Sequence, residues 1–538
     1  MMALSLLSLC AKVVVGDHSL ATHWLRWVPR ELYGPLLEAS FAGCKPLAVG
    51  ELVQKWPERR LRVGGRRKRG QRPPCRLCVQ ALLLAVVRGL SDQRFALRVL
   101  DLCGLQAEEP QTVDSMGGWS LTIAVCTMVV QAQARERKRL RGLVRDKEVK
   151  GERGQCKRVK DANGAKSNCG EDSAEFFGGV NLIKGVRRRM EIKKRQQNWR
   201  LEGDGKECHS SLQVRADIFV NARSWERVYA ALSAAGPLEL QCRYLHVEEV
   251  SMTSIGILLD FLPPRGLLGV DVRYSNLGVA GLAHLLPRLA AFPDLSSLSL
   301  HYCNLDLRRD RPGQEEALRD LSQGLAQLRG LQRLSLTALR LPGQLRVLLS
   351  SLPRPLEVLE LPYLSLRAAD LAYLSCSHHA SSLQQLDLSE NRLYADTLPA
   401  VRHLLSQASG SLRRLSLRGC GLSDDLLGPL LPSLGCCSSL RSLALALNPL
   451  SAAGLVKAVR TAARMPSMRW MLYPNPLEDY QPGLPEMPSS AQLMEWPLYE
   501  AANLSATRNL LHKVLQDCGR EDIMLTCDLL SYDHDLAE

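Results

Sequence analysis

A leucine-rich repeat is the feature of this sequence that most constrains its fold. The pattern L-x-x-L-x-L-x-x-N/C-x-L is complete at residues 383–393, where Asn391 fills the ninth position. Copies in the same phase, some of them degenerate, begin at Leu267, Leu295, Leu331, Leu356, Leu383, Leu412 and Leu440. Their starts are 28, 36, 25, 27, 29 and 28 residues apart. The series predicts repeated units stacked around one continuous core.

The length of the repeat selects its type. A period near 28 residues leaves room for one strand and one full helix in each unit. Ser423 and Ser451 each precede apolar residues at helical spacing, as N-cap residues do. Asn391 and Cys420, at ninth positions, are expected to satisfy backbone groups where the chain turns inward. The sequence therefore predicts an α/β fold, a leucine-rich-repeat horseshoe of the ribonuclease-inhibitor-like type.

Changes in this pattern divide the chain into four regions. Residues 1–127 are predicted to be a helical N-terminal region that includes a first repeat-like strand at residues 97–102. Residues 128–210 are basic and poor in apolar clusters, and are predicted to be a disordered insertion. Residues 211–472 hold the repeats. Residues 473–538 are predicted to form a C-terminal cap, because the last repeat would otherwise expose its core.

Charge is distributed unevenly along the chain. The formal net charge is +14, yet residues 131–206 contain 22 basic and 11 acidic residues and account for most of it. The remainder is nearly neutral, so nucleic acid is not an expected partner of the protein as a whole. The basic runs within this segment leave four interpretations open: a nuclear-localisation segment, a nucleic-acid-binding arm, a solvated linker, or a gene-model artefact.

The cysteines and the apolar segments bear on location. Seventeen cysteines, an odd number, are scattered through apolar periodic stretches, which predicts reduced thiols in an intracellular protein. The apolar start lacks a basic n-region and a small-x-small cleavage site, so secretion is not expected. No apolar run has the length of a membrane-spanning helix, and no membrane association is predicted. The expected location is the cytoplasm, with the nucleus as a second location.

Enzyme signatures are absent from the sequence. It contains no G-x-x-x-x-G-K-[ST] loop, no H-E-x-x-H and no G-x-S-x-G. Cys75 and Cys78 have half of a zinc-ligand spacing, but no second pair lies at a matching distance. Two thiols on one helix face are the simpler interpretation of that motif. A non-catalytic protein with no metal and no cofactor is therefore predicted.

A horseshoe presents the residues between its strand leucines on a rigid concave surface. Aromatic and charged residues occur together at these positions, which is the composition of protein-binding hot spots, although solvated strand faces also carry polar residues. The predicted substrate-binding residues are Asp271, Arg273, Tyr274, His301, Tyr302, Glu360, Tyr363, Asp387, Glu390, Arg414 and Arg418.

The N-terminal region carries a family resemblance. Residues 29–41 (PRELYGPLLEASF) and 52–57 (LVQKWP) resemble the opening of the PRAME family, most nearly its leucine-rich repeat-containing protein 14 branch. The strand at residues 97–102, the segment 214–221 and the repeats are similar to the same family. The basic insertion, residues 131–206, is the main departure from the family pattern.

The resemblance implies a function that the repeats alone do not. Several family members look like substrate receptors of cullin 2 ubiquitin ligases, recruited through elongin B and elongin C. The elongin-binding motif of such receptors corresponds here to Ser5, Leu6, Cys10 and Val14, of which the last three share one helix face. The segment expected to contact cullin consists of Val28, Pro29, Arg30, Glu31 and Leu32, with Val28 in place of the family's usual leucine.

The sequence leaves alternatives to this adaptor function. Residues 29–32 also resemble the start of an F-box, which would recruit Skp and cullin 1 instead. A second class of function is a non-enzymatic scaffold or inhibitor that sequesters a signalling or transcription-regulatory protein on the concave face. A third interpretation makes the basic insertion a chromatin-facing arm. The predicted partners are elongin B, elongin C, the cullin 2 complex and a protein substrate that the sequence does not identify.

Overall fold

The computed structural model describes residues 6–16, 27–63, 75–92, 95–105, 120–151, 211–234, 236–306, 314–499 and 501–529, excluding the side chains of residues 140, 142–151 and 501–505. The chain divides into two units, which are considered one at a time. The first comprises residues 1–65, 71–216 and 224–241, and the second comprises residues 66–70, 217–223 and 242–538. Strands β3 and β4 contribute residues to both units.

The first unit is mainly helical, with short parallel strands. Its described elements are α1 (Leu6–Gly16), a 3-10 turn (Arg30–Leu32), α2 (Tyr33–Ala42), α3 (Pro46–Gln54), β1 (Arg60–Arg62), α4 (Arg76–Gly89), β2 (Val99–Asp101), α5 (Leu121–Gly151), most of β3 (Leu212–Val220), α6 (Trp225–Leu232) and the start of β4 (Leu238–Glu248). Strands β1, β2 and β3 pair in parallel, with Leu61, Leu100 and Val214 in register. Each of these three side chains is almost wholly buried, so the strands share one apolar core.

The second unit alternates strands and helices. Its described elements after β4 are α7 (Met252–Phe261), β5 (Gly269–Arg273), α8 (Gly278–Leu289), β6 (Ser297–His301), α9 (Gln314–Ala326), β7 (Arg333–Thr337), α10 (Leu345–Leu349), β8 (Val358–Glu360), α11 (Ala368–Cys376), β9 (Gln385–Asp387), α12 (Leu398–Gln407), β10 (Arg414–Ser416), α13 (Asp424–Leu427), α14 (Leu431–Gly435), β11 (Ser442–Ala444), α15 (Ala452–Ala463), β12 (Trp470–Leu472), α16 (Ser490–Glu495), α17 (Ala501–Asp517) and β13 (Met524–Thr526).

The strand leucines of the second unit form an in-register ladder. Neighbouring strands pair in parallel and in sequence order. The aligned positions are Leu245, Val270, Leu298, Leu334, Leu359, Leu386, Leu415, Leu443, Met471 and Leu525. Those from Leu245 to Met471 are at most 3% exposed. Burying a leucine contributes roughly 2 kcal/mol, so this ladder accounts for much of the core and confirms the predicted leucine-rich-repeat α/β fold.

The ninth repeat position has the role that the sequence predicted. Asn391 is buried, and its Nδ2 donates to the carbonyl oxygen of Leu361 at 2.7 Å and to that of Leu388 at 3.0 Å. Its Oδ1 accepts from the backbone N–H groups of Leu364 and Leu366. In the next repeat the Cys420 thiol donates to the Leu388 carbonyl oxygen. These side chains satisfy buried backbone groups that no strand or helix pairs.

The two predicted helix starts differ in outcome. Ser451 caps α15, because its hydroxyl accepts a hydrogen bond from the Gly454 N–H at 3.0 Å. Ser423 precedes only the four-residue helix α13, and its side chain makes no capping bond. A 3-10 turn at residues 428–430 separates α13 from α14, and it contains Pro429 at its second position. A proline inside the helix would remove a backbone donor, which explains the interruption.

The structure corrects the start of the predicted insertion. Residues 128–151 belong to α5, which begins at Leu121, so the predicted boundary at residue 128 falls within a helix. Met128, Val129 and Ala132 are buried, and this apolar face holds the helix on the unit although its far end is highly charged. Residues 152–210 lie outside the described residues.

Strands also extend beyond the predicted copies. The expected strand at residues 97–102 is present as β2, but β1 precedes it. After the last complete copy, β12 and β13 continue the parallel pairing, with Met471 opposite Leu525. The predicted cap at residues 473–538 therefore contains a strand as well as α16 and α17.

Candidate functional site

The side chains between the strand leucines form one surface of the second unit, here called the open face. Its central row is in register across the sheet and consists of His246, Asp271, Ser299, Ser335, Glu360, Asp387, Ser416, Ala444 and Leu472. The row is polar from His246 to Ser416 and apolar at its end. Most of the predicted substrate-binding residues lie in this row or beside it.

Asp271 organises the first part of the open face. Arg273 Nε donates to Asp271 Oδ2 at 2.9 Å, and His246 Nδ1 lies 3.3 Å from the same oxygen. His301 Nε2 lies 3.6 Å from Asp271 Oδ1, and its Nδ1 lies 2.7 Å from the Thr337 hydroxyl. Burial alone would raise the pKa of Asp271, but the hydrogen bonds from His246 and Arg273 outweigh it and hold that pKa below its usual range. Asp271 is 7% exposed, so it positions these side chains from below.

An aromatic contact that the sequence analysis missed lies beside this cluster. Phe219 stacks on His246, with ring centroids 4.4 Å apart and an interplanar angle of 8°. Next to it, Arg243 donates two hydrogen bonds to the carboxylate of Asp217, at 3.1 and 2.9 Å. Neither pair matches the leucine repeat, because β3 and β4 are its most degenerate copies. The alternation of apolar and polar residues in β4 was the available signal.

Two carboxylates are neighbours in the middle of the open face. Glu360 and Asp387 are cross-strand partners on β8 and β9, and Gln385 Nε2 donates to Glu360 Oε1 at 2.6 Å. Burial, reinforced by the negative charge of Asp387, raises the pKa of Glu360. Asp387 is held by the backbone N–H of Ser389, which donates to its Oδ1 at 2.8 Å. Arg414, the partner of Gln385 on β10, is half-buried beside them.

A second row, here called the turn row, follows the ends of the strands. It consists of the residue immediately before each ninth repeat position, together with Glu249, the equivalent residue after β4: Glu249, Tyr274, Tyr302, Ala338, Tyr363, Glu390, Gly419 and Leu447. Every one of these residues has a φ between +49° and +60°. A left-handed backbone costs an ordinary side chain about 1 kcal/mol or more, yet only one repeat here uses glycine. Most repeats therefore keep a side chain at this strand end although its left-handed backbone is strained.

Three tyrosines of the turn row are exposed. Tyr274, Tyr302 and Tyr363 are 53%, 45% and 48% exposed, respectively. Tyr274 and Tyr302 stack with centroids 5.1 Å apart. Burial, followed by the charge of Glu390 and the neighbouring Tyr302, raises the pKa of Tyr363. The tyrosines and Glu390 thus form one continuous surface, with Arg418 close enough to influence both Tyr363 and Glu390.

The last strands of the open face are covered by the chain itself. Ser490, the first residue of α16, donates to Glu390 Oε2 at 2.5 Å across 100 residues of sequence. Burial raises the pKa of Glu390, although the hydrogen bonds from Ser490 and Tyr363 oppose the shift. Ala444, Ala446 and Leu472 are buried, and Leu447, Trp470 and Leu529 pack against them. Tyr274, Tyr302 and Tyr363 remain exposed beside this covered part.

In the first unit, α1 exposes an apolar stripe. Leu6 is 78% exposed and Val14 is 44% exposed, while Cys10 between them is also exposed. Ala11 and Val15 are buried where α1 packs against α2, whereas Leu7, Leu9 and Val13 are exposed like the stripe itself. The predicted elongin-binding residues Leu6, Cys10 and Val14 thus lie along one side of α1. Ser5 lies outside the described residues.

The predicted cullin-contacting segment precedes α2. Pro29, Arg30 and Glu31 are exposed, and Val28 and Leu32 are half-buried. Arg30 and Glu31 line an open cleft with Trp56 and Arg60. Tyr33 holds the floor of this cleft, since its ring meets Trp56 edge to face at 6.1 Å and 87°.

The structure gives two further findings on site chemistry. Within the described ranges, no three or more histidine, cysteine, aspartate or glutamate side chains are arranged to hold a metal ion. Among the helices of the described part of the chain, none combines the length and the apolar character that crossing a bilayer requires. What the described surfaces offer is aromatic, charged and apolar contact area.

Comparison with known proteins decides the family. The PRAME N-terminal domain matches residues 3–109, and the PRAME C-terminal domain matches residues 233–520. The chain belongs to the PRAME family. This PRAME-family chain is 34% identical to leucine-rich repeat-containing protein 14 of Xenopus laevis over 547 residues, covering 98% of the chain and 97% of the relative. The predicted resemblance, including its nearest branch, is confirmed.

Further relatives extend the comparison. The PRAME-family chain is 30% identical to leucine-rich repeat-containing protein 14 of Homo sapiens, with coverage of 98% and 97%. It is 26% identical to PRAME family member 20 of Homo sapiens, with coverage of 88% and 86%. The solved leucine-rich repeat protein LegL7 of Legionella pneumophila shares 15% identity and a TM-score of 0.31, covering 56% of this chain and 90% of that one. The family and the repeats give this protein a repeat-based protein-binding role.

Proposed function

We propose that this PRAME-family protein is the substrate-recognition subunit of a cullin 2 RING ubiquitin ligase. In this function α1 binds elongin C of the elongin B/C pair, residues 28–32 contact cullin 2, and the open face holds a protein substrate. The protein itself performs no chemistry, because ubiquitin transfer takes place on the partner subunits. The exposed stripe of Leu6, Cys10 and Val14 on α1 is the observation that carries the proposal.

The energetics of α1 support a docking function for this stripe. An exposed leucine and valine on a helix that already packs against α2 gain nothing from the fold of the unit. Placing Leu6 in a pocket would stabilise a complex by about 2 kcal/mol. The spacing i, i+4, i+8 presents the three side chains together, as helix-in-groove recognition requires.

The open face supports the substrate-binding half of the proposal. Tyr274, Tyr302 and Tyr363 are exposed, yet the backbone N–H of each donates to a carbonyl oxygen of the next repeat, so little backbone freedom is lost on binding. Arg273 and His301 are oriented by Asp271, and Arg273 adds positive charge at the edge of the aromatic patch. Rigid tyrosines beside oriented charges are the composition of a protein-binding hot spot.

Binding of purified elongin B/C to the full-length protein tests the proposal. Leu6→Ser combined with Cys10→Ser should weaken the affinity at least roughly thirtyfold, the equivalent of about 2 kcal/mol. Leu9→Ser is the matched control, because Leu9 is 46% exposed on the same helix but lies off the stripe. If the double variant binds elongin B/C as tightly as the Leu9→Ser control, this stripe is not the elongin-binding site.

A second candidate function is sequestration of a signalling or transcription-regulatory protein without ubiquitination. The observation that favours it is the tyrosine surface, which could hold a partner without any contribution from α1. The two functions separate in cells that express the Leu6→Ser, Cys10→Ser variant. Under the adaptor function, a captured partner remains bound but is no longer ubiquitinated. Under sequestration, the variant acts on its partner as the unaltered protein does.

A further inference from the structure

Three cysteines that are separated in sequence come together in the first unit. Cys75 is the N-cap residue of α4, and Cys78 is the third residue of that helix. Cys44 lies in the turn between α2 and α3, where its backbone adopts a φ of 52°. The thiols of Cys44 and Cys78 are both within hydrogen-bonding reach of the Cys75 sulfur. The C-x-x-C motif thus acquires a third thiol that the sequence did not predict.

The start of α4 favours the thiolate form of Cys75. The backbone N–H groups of Leu77 and Cys78 point towards its sulfur, as unpaired donors at a helix N-terminus do. Burial alone would raise the pKa of Cys75, but these two N–H groups and the thiols of Cys44 and Cys78 outweigh it and lower that pKa. A thiolate is the nucleophilic form of cysteine, so Cys75 is set up to react.

The two neighbouring thiols differ from each other. Cys78 is fully buried, and its thiol also reaches the carbonyl oxygen of Ser40 at 3.9 Å. Burial, with the adjacent Cys75, raises the pKa of Cys78 to about 12, so its thiol stays protonated. Cys44 is exposed to solvent, whereas Cys75 is partly exposed. Cys44 is therefore the exposed neighbour that can approach an oxidised Cys75.

We propose that Cys75 and Cys44 form a peroxide-sensitive thiol–disulfide site in the first unit. A hydroperoxide oxidises the Cys75 thiolate to the sulfenic acid and is itself reduced to an alcohol or water. The Cys44 thiol then attacks that sulfur, an S–S bond forms, and the sulfenic oxygen leaves as water. A dithiol reductant reverses the reaction by exchange through a mixed disulfide. The bridge would fasten the α2–α3 turn to the beginning of α4.

Trypsin separates the three thiols, which makes the pairing measurable. Cleavage is expected to leave Cys44 in peptide 31–55, Cys75 in 70–76 and Cys78 in 77–88, because Arg76 lies between the last two cysteines and Pro46 follows Lys45. The full-length protein is treated with hydrogen peroxide, alkylated and digested without reduction, and its peptides are identified by mass spectrometry. The expected product joins peptides 31–55 and 70–76, and dithiothreitol abolishes it.

Variants complete the test. Cys75→Ser should eliminate the linked product, and Cys44→Ser should leave Cys75 as a sulfenic acid that dimedone traps. Cys376→Ser is the matched control, since Cys376 is exposed but lies outside the cluster, and it should leave the linked peptide unchanged. Circular dichroism of each variant verifies that the protein remains folded.

Three results would overturn the proposal. In the first, Cys75 is oxidised no faster than Cys376 across the peroxide titration. In the second, Cys75 is joined to Cys78 rather than to Cys44. In the third, the purified protein contains one equivalent of zinc that Cys75→Ser removes, which would make the cluster a metal site.

Discussion

Tyr274 and Tyr302 are 28 residues apart in sequence and stack with their rings nearly parallel, at an interplanar angle of 14°. Their strands, β5 and β6, are paired in register, and both tyrosines follow the strand end with a left-handed backbone. Because the repeats stack in register, any two residues of the turn row that are one repeat apart in sequence are neighbours in the structure. Aromatic side chains at successive repeats necessarily form a patch.

The stacking energy of this pair is measurable. Tyr274→Ala and Tyr302→Ala should each lower the free energy of unfolding slightly, and the double variant should reveal a coupling of about 0.5 to 1 kcal/mol. Alanine is suitable because Ala338 already occupies the same left-handed position in the next repeat. Urea unfolding of the unaltered protein, the two single variants and the double variant completes this double-mutant cycle. Tyr394→Ala combined with Tyr274→Ala is the control pair and should be additive.

The buried Asn391 should contribute strongly to stability. Asn391→Ala removes the partners of two backbone N–H groups and of several carbonyl oxygens, so the free energy of unfolding should fall by about 3 kcal/mol. Asn391→Cys should cost less, because Cys303 and Cys420 fill this position in other repeats and donate to a carbonyl oxygen. The control Asn276→Ala, at an exposed site, should change little. Equal losses for Asn276→Ala and Asn391→Ala would contradict this account.

Glu360 should make stability depend on pH. Its pKa is raised in the folded protein by burial and by Asp387, so the folded state holds the proton more tightly than the unfolded state does. Stability should therefore decline as pH rises from about 4 through the raised folded pKa. Glu360→Gln, which keeps an acceptor for Gln385, should stabilise the protein near pH 7 and have little effect near pH 4. Glu486→Gln, at an exposed site, is the control. If Glu360→Gln raised the free energy of unfolding as much at pH 4 as at pH 7, the raised pKa of Glu360 would not be the cause of the stabilisation.

The contact between Ser490 and Glu390 should hold residues 477–499 against the last strands of the open face. Ser490→Ala removes this hydrogen bond, so hydrogen–deuterium exchange should accelerate in residues 477–499 and at Glu390. Ser489→Ala is an informative comparison, because Ser489 caps α16 and does not contact Glu390. It should accelerate exchange within α16 but leave Glu390 protected. Unchanged exchange in Ser490→Ala would mean that apolar packing alone holds the segment.

Parts of the candidate site followed from the sequence. The positions of Asp387, Arg414 and Arg418 on the open face come directly from the repeat register. The α1 stripe follows from helical spacing, since Leu6, Cys10 and Val14 are four residues apart. Asp271 was predicted as a contact residue but is almost wholly buried, because His246 and Arg273 from neighbouring positions close around it. A single sequence does not reveal how long side chains fold over a shorter one.

Periodicity is what the sequence by itself determined. Leucines at fixed spacing determine where strand, turn and helix fall, because each repeat must bury the same apolar positions against its neighbour. Asn391 and Cys420, at the same position of successive repeats, then satisfy equivalent backbone groups. Tertiary structure alone decided which surfaces stay accessible. Ser490 lies against Glu390, and Cys44 lies beside Cys75, because of the paths of connecting segments, which no local preference encodes. Contacts between residues distant in sequence depend on the path of the whole folded chain, so they cannot be read from local sequence patterns.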